Sequence, residues 1–332
     1  AEAIVTLQLY RLTNTDIVTL QEEKGNLEKI MAMLEAILAD EEKLKMVIKE
    51  ELRKIKKEYG NPRRTEIVDE VEDIKIDTTE MIPKEDAIVV VTHDGYIKRV
   101  STRSYATNTD ETLLKEGDYI IGLYNINTTQ TVLVFTDMGN YLFLPVYEIP
   151  EVKWKEMGKH VSNIISMSSG EKIIGAMPVY DFEREEYITI FTKDGMVKRT
   201  RLIDFKVGRY SKEIGMIKLS EGDKVVSVSY SNDTDVFVAT QMGYGLWYDT
   251  SEISVVGIRA SGVRSIKLKD DEVVSSCLFN PSDEYVTIIT DKGTAKRMKL
   301  ENIEKTSRAN RGVQLMKTIK SNPSKIISSY IV

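Results

Sequence analysis

Apolar and polar positions first fall into a regular pattern at residues 87–101. An apolar run (87–91) meets an Asp94-Gly95 turn, and the returning run ends in Lys98-Arg99. Asp-Gly between β-rich runs predicts a two-stranded hairpin. The same pattern returns as VLVFTDMGNYLFLP (132–145), ITIFTKDGMVKRT (188–200), VFVATQMGYGLWYD (236–249) and VTIITDKGTAKRM (286–298). The turn glycines Gly95, Gly139, Gly195, Gly243 and Gly293 are 44, 56, 48 and 50 residues apart. A period near fifty marks an array of one supersecondary unit.

Each hairpin is followed by a second half, such as LLKEGDYIIGLYNI (113–126) or MIKLSEGDKVVSVSY (216–230), that reads as strand, polar turn, strand. One repeat then supplies about four short strands, the content of a propeller blade. The predicted fold is mostly β: a β-pinwheel or propeller-like array of about five four-stranded blades, possibly six, over residues 86–332. A β-sandwich or solenoid is the alternative.

Residues 1–62 follow a different period. Apolar residues at Leu27, Met31, Leu34 and Leu38, then Leu44, Ile48, Leu52, Ile55 and Tyr59, step mostly by three or four, with a break near Ala39-Asp40. That is one stripe along a helical, coiled-coil-like arm. Residues 1–12 are expected to form a helix ahead of it, with Thr13 to Asp16 as stop and cap. Gly60-Asn61-Pro62 ends the arm. Residues 63–85 read as an acidic linker whose IKID (74–77) becomes a first strand.

Composition narrows the chemistry. The chain has 332 residues, with 46 Lys and Arg against 52 Asp and Glu. No apolar run reaches membrane-span length and no leader is expected. The single cysteine, Cys277, admits no disulfide framework, so a cytoplasmic setting is expected. The two histidines, His93 and His160, sit in different repeats and read as turn and loop residues. No zinc-ligand spacing or phosphate-binding glycine loop occurs, and the turn aspartates Asp94, Asp137, Asp194 and Asp291 are explained by turn chemistry. No catalytic or metal-binding residue is expected.

Cations recur instead. Three hairpins end in Lys98-Arg99, Lys198-Arg199 and Lys296-Arg297. Alternation along a strand is expected to put Arg99 with Arg103, Arg199 with Arg201, and Arg297 with Lys299. Such pairs, repeated blade by blade, would form a discontinuous basic track for phosphates, giving affinity without reading sequence. Repeats two and four carry Tyr141-Leu142-Phe143-Leu144 and Gly245-Leu246-Trp247-Tyr248 there, and read as structural or as reserved for apolar contact. A second set, Lys155, Lys159, Arg209, Lys212, Arg259, Arg264, Arg308 and Arg311, lies in connections beside glycines. Beyond residue 66 the net charge is −5, so binding should use a local patch with modest, salt-sensitive affinity.

AEAIVTLQLYRLTNTD, a long charged helix, RRTEI and five Gly-x-x-Lys-Arg-type repeats together resemble the C-terminal third of the A subunit of bacterial type II topoisomerases. The resemblance covers essentially the whole chain. It implies a coiled-coil arm that belongs to the dimerising exit gate, and a β-pinwheel that binds and bends double-stranded DNA on its rim. Gyrase-type members carry a basic box similar to QRRGGKG after the first hairpin. Here residues 104–112 read SYATNTDET, where Asp110 and Glu111 would repel phosphate, so the chain resembles the topoisomerase IV branch and tight wrapping is not expected. In that family the cleaving tyrosine lies far upstream beside an arginine, and none of the sixteen tyrosines here matches that context. The fragment alone should be inactive. The resemblance further implies partners in the upstream breakage-reunion domain and the ATPase B subunit of topoisomerase IV, in a heterotetramer at the nucleoid, with ATP and Mg held by those other parts. A non-catalytic protein-interaction propeller on a coiled-coil stalk is the alternative function.

Overall fold

The computed structural model describes residues 14–62, 65, 82–108, 112–280, 282–316 and 323–331. The expected helix at 1–12, the IKID strand and the pair Asp110 and Glu111 lie outside the described residues. The chain divides into two compact units, Ala1–Lys75 and Ile76–Val332.

In the first unit, α1 (Asn14–Leu38) and α2 (Glu41–Tyr59) meet at the predicted break. Asp40 caps α2 by accepting a hydrogen bond from the Glu42 N–H at 3.0 Å. Glu41 and Glu42 in the first turn, with Lys56 and Lys57 in the last, complement the helix dipole. The predicted stripe, including Leu27, Met31, Leu34, Leu52 and Ile55, is exposed. No helix of the described residues is long and apolar enough to cross a membrane.

The second unit is an array of blades. β1 (Asp86–Thr92) and β2 (Tyr96–Ser101) are the first predicted hairpin, turned at Gly95 with φ +90°. α3 (Thr102–Ala106) is a single short helix after it. β3 (Ile120–Asn127) pairs with the far side of β1. The fourth place, at the edge of β2, is taken by β6 (Lys159–His160), which the chain reaches only after β4 (Thr131–Thr136) and β5 (Asn140–Pro145) of the next hairpin. Each repeat therefore lends two residues to the blade before it.

The arrangement recurs three times. Blade two is β7 (Ile173–Val179), β4, β5 and β10 (Ile214–Gly215). Blade three is β11 (Val225–Tyr230), β8 (Tyr187–Thr192), β9 (Met196–Arg201) and β14 (Val263–Arg264). Blade four is β15 (Val273–Phe279), β12 (Asp235–Thr240), β13 (Tyr244–Asp249) and β18 (Val313–Gln314). Blade five has three strands: β19 (Ile326–Ile331), β16 (Tyr285–Thr290) and β17 (Ala295–Lys299).

The expectation of about four strands from each repeat holds for repeats two to five, but the reading of the second half as strand, polar turn, strand is corrected. The second half of a repeat gives one full strand, and the fourth is a borrowed pair of residues. Stretches such as 216–219 join no ladder; Met216 and Ile217 enter the core instead.

Alternation explains why the hairpin strands are apolar on both faces. In β4, Val132 and Val134 pack with Val89, Val91 and Ile97 of blade one. Leu133 and Phe135, one residue out of phase, pack with Ile188 and Ile190 of blade three. A blade sandwiched between two others in this way has core on both faces of its strands, whereas in blade five β16 buries alternate residues only. The first strands of successive blades approach through small and hydroxyl groups: Tyr124 donates to the Ala176 carbonyl at 2.7 Å, Ser227 to that of Ser276 at 3.1 Å, and Ser275 to that of Ser329 at 3.2 Å.

Candidate nucleic-acid interface

Two of the three lysines of the Lys-Arg pairs do not face solvent. Lys98 is 2% exposed and Lys198 is 0% exposed. The Lys98 ammonium donates to the carbonyls of Trp154 and Glu156, each at 2.6 Å, and to the Thr112 hydroxyl. Lys198 donates to the Met216 carbonyl at 2.5 Å, and Lys296, though its residue is exposed, to the Leu315 carbonyl at 2.6 Å. Lys98 and Lys198 are therefore corrected from phosphate ligands to internal pegs, tying the hairpin to loops that follow it. A cation that has left water is retained because fixed carbonyl oxygens replace its hydration.

Burial pushes both lysines down to about 8. Their pKa is then lower in the folded chain than in the unfolded one, so between pH 8 and the ordinary lysine range the unfolded state binds more protons. Stability should rise with pH there. Tyr124, Tyr141 and Tyr248 are shifted upward by burial, which reverses the slope above about pH 10. We expect urea midpoints to increase from pH 8 to about 9.5, and the increase to shrink in Lys98→Met and Lys198→Met; an unchanged rise in both variants would be inconsistent with this assignment.

The paired arginines have structural partners too. Arg99 donates to Glu151 at 3.1 Å, and its backbone forms a parallel bridge with that residue. Arg199 lies 4.3 Å over the Tyr187 ring, with a buried Nε that has no hydrogen-bond partner among the described residues. Arg297 lies 3.8 Å over Tyr285 and is exposed. Arg103 sits on α3, not on a strand, so it does not extend the face of Arg99. Arg201 is exposed near Asp204 at 3.6 Å, and exposed Lys299 pairs with Glu301 at 3.0 Å.

The connection residues are brought together better. Loops of consecutive repeats bond to one another: Glu213 N–H to the Ser166 carbonyl (3.1 Å), Lys218 N–H to Ala260 (3.3 Å), and Lys267 N–H to Asn310 (2.9 Å). This joins residues around 166, 208–218, 257–267 and 307–314 into one layer along blades one to four. Arg209, Lys212, Arg259, Arg264 and Arg311 are exposed on it, and Arg311 lies 4.2 Å over Tyr244. Arg259 holds a left-handed φ of +70°, uncommon without glycine. Arg308 is half-buried, its guanidinium donating at 2.9 Å to the carbonyls of Glu252 and Arg264, so it clasps the loops as well as carrying charge on them. Sequence reasoning passed over Lys218 and Lys267, both exposed on this layer. The signal was the recurrent Ile-Lys-Leu at 217–219 and 266–268.

The segment in place of a basic box is tied down at its end. Thr112 is buried, with its hydroxyl donating to the Trp154 carbonyl at 2.7 Å beside Lys98. His93, Asp94 and Asp118 gather within 4.8 Å at the first hairpin turn. Asp118 accepts from the Asp94 and Tyr119 N–H groups at 2.9 and 2.8 Å, while Lys115 binds Asp94 at 3.1 Å. Turn chemistry accounts for that group.

Known proteins share this architecture. The family described as "DNA gyrase C-terminal domain, beta-propeller" matches residues 86–109, 130–179, 186–232, 234–280 and 284–332. The A subunit of DNA topoisomerase 4 from Bacillus subtilis (strain 168) is 43% identical over 99% of this chain and 41% of the relative. The protein of that name from Staphylococcus aureus (strain MRSA252) is 40% identical over 100% of this chain and 42% of its own length. The chain therefore spans about two-fifths of these relatives. A solved structure described as the C-terminal domain of DNA topoisomerase IV is 42% identical, with a TM-score of 0.73 over 76% of this chain and 79% of that one. With five matched blocks falling on the five blades, the chain belongs to the DNA gyrase C-terminal β-propeller family, on its topoisomerase IV branch.

Proposed function

We propose that this chain is the DNA-holding part of the A subunit of a topoisomerase IV, and that its loop layer binds the phosphates of a duplex. The observation that carries the reading is the chain of loop-to-loop hydrogen bonds that sets Arg209, Lys212, Arg259, Arg264, Lys267 and Arg311 on one layer across consecutive blades. Spaced cations on a curved rim attract a backbone without reading bases, and favour a bent path. The held duplex is presented for strand passage by the rest of the enzyme: the upstream breakage-reunion domain and the ATPase B subunit, in a heterotetramer at the nucleoid in the cytoplasm. ATP and Mg would act on those parts, consistent with loops here that bind by charge alone.

Binding of a duplex should weaken steeply with salt. Six phosphate contacts correspond to a slope of log affinity on log salt of roughly −5. Fluorescence anisotropy with a 30-base-pair duplex from about 50 to 200 mM salt reads it. A slope near zero would favour the protein-interaction reading. With no basic box at 104–112, the domain should bend DNA without constraining a chiral turn. A relaxed plasmid, incubated with the protein and a nicking-closing enzyme, should then show an unshifted topoisomer ladder; a shift like that of a gyrase C-terminal domain would overturn this.

A further inference from the structure

Among the described residues, blade five shows no counterpart of the strand that every other blade borrows. In blades one to four the edge of the second hairpin strand is covered by the following repeat. A borrowed pair adds near the turn: the carbonyls of Gly95, Gly195 and Gly243 accept from Val161, Ser265 and Leu315 at 2.8, 2.7 and 2.8 Å. In blades one, three and four a loop also adds in parallel farther along, with bridges Arg99↔Glu151, Arg199↔Val255 and Trp247↔Lys305. β17 stands in the same place in blade five with four of its five residues exposed, where β2 and β9 expose one of six. Ladder alternation turns the N–H and C=O of Ala295 and Arg297 outward, and neither residue has a backbone partner on that edge among the described residues.

We propose that this edge is a strand-addition site for an acidic, extended segment of a partner protein. Backbone groups in a row supply affinity by β-augmentation, and side chains supply choice. The chemistry of the occupant follows from blade one. There the Arg99 N–H donates to the Pro150 carbonyl at 2.9 Å, the Val152 N–H donates to the Arg99 carbonyl at 3.0 Å, and the Arg99 guanidinium meets Glu151 at 3.1 Å. Arg297 occupies the position of Arg99, braced on Tyr285, and Lys299 stands two residues on, along the same edge. An incoming carboxylate opposite Arg297 completes the contact that Glu151 makes within the chain. An edge of this kind left bare also invites misassembly, so covering it serves the protein as well as the partner.

Hydrogen exchange on the intact chain tests the proposal, with the synthetic peptide EIPEVK, the chain's own 148–153, as probe. Alone, residues 294–299 should exchange at least about tenfold faster than 96–101 and 196–201. Peptide at millimolar concentration should slow them. Arg297→Glu should abolish the slowing, and a peptide with lysine in place of its central glutamate should restore it on that variant. Slow exchange of 294–299 without peptide, no slowing at millimolar peptide, or slowing indifferent to Arg297→Glu would each overturn the proposal.

Discussion

Replacing Arg209, Arg259, Arg264 and Arg311 together by glutamine should flatten the salt dependence of duplex binding by roughly 3.5 units and weaken binding about a thousandfold near 0.1 M salt. Each side chain is exposed on the loop layer and lies outside the hydrophobic clusters, so apart from the stacking of Arg311 on Tyr244 the change should act through lost charge. Glutamine keeps much of the length of the side chain and spares the loops, and exposed substitutions of this kind usually alter stability by about 0.5 kcal/mol or less each. The contrast is Lys98→Met. The ammonium it removes has three acceptors, and the Glu156 carbonyl loses its donor, which should cost about 2 kcal/mol of stability. Its salt slope should match that of the unmodified chain. Lys198→Met withdraws a donor from one carbonyl, which also accepts the Arg259 N–H at 3.4 Å, so it should cost less. Anisotropy titrations paired with urea melts separate the two classes. A lysine variant with a reduced slope, or a quadruple variant without one, would return the Lys-Arg pairs to the interface.

The repeats themselves held the warning about those lysines. Leu142 and Leu246 stand in blades two and four where Lys98 and Lys198 stand in blades one and three. A position that accepts leucine in half of those four copies is a core position. Hairpins, turn glycines and blade count were legible because they rest on local periodicity and turn conformation. The helix break was legible for the same reason, since Asp40 is both stop and cap. Strand exchange was not: β6, β10, β14 and β18 are two residues each, too short for any alternation to register. Nor did sequence separate Arg308 from Arg311, neighbours in one loop, of which one clasps carbonyls and the other faces water. That choice is made by contacts with residues about 44 to 56 positions away.

Gly262 is where strand exchange can be broken most directly. Its φ is +82°, and a Cβ placed there would lie 2.4 Å from the Val197 carbonyl oxygen and 3.0 Å from Lys198 Cβ. The obstacle is the backbone of β9, fixed in a ladder on its other side, so it cannot swing away as a side-chain tip could. Gly222 has nearly the same φ, +80°, with nothing within 4 Å. Gly222→Ala should therefore cost only the left-handed strain, about 1 kcal/mol, while Gly262→Ala should cost on the order of 4 kcal/mol by adding a clash that lifts β14 from β9. The two variants carry the same chemical change at the same dihedral, so their difference measures the strand contact alone. Blade two provides an internal check: Glu213 precedes β10 where glycine precedes β6, β14 and β18, and there the Glu213 side chain accepts from Ser168 at 2.8 Å. The displaced segment also carries Arg259 and Arg264, so Gly262→Ala should lose duplex affinity along with stability, and Gly222→Ala should keep it. Equal urea midpoints for the two alanine variants would mean that the borrowed strand contributes nothing to the fold.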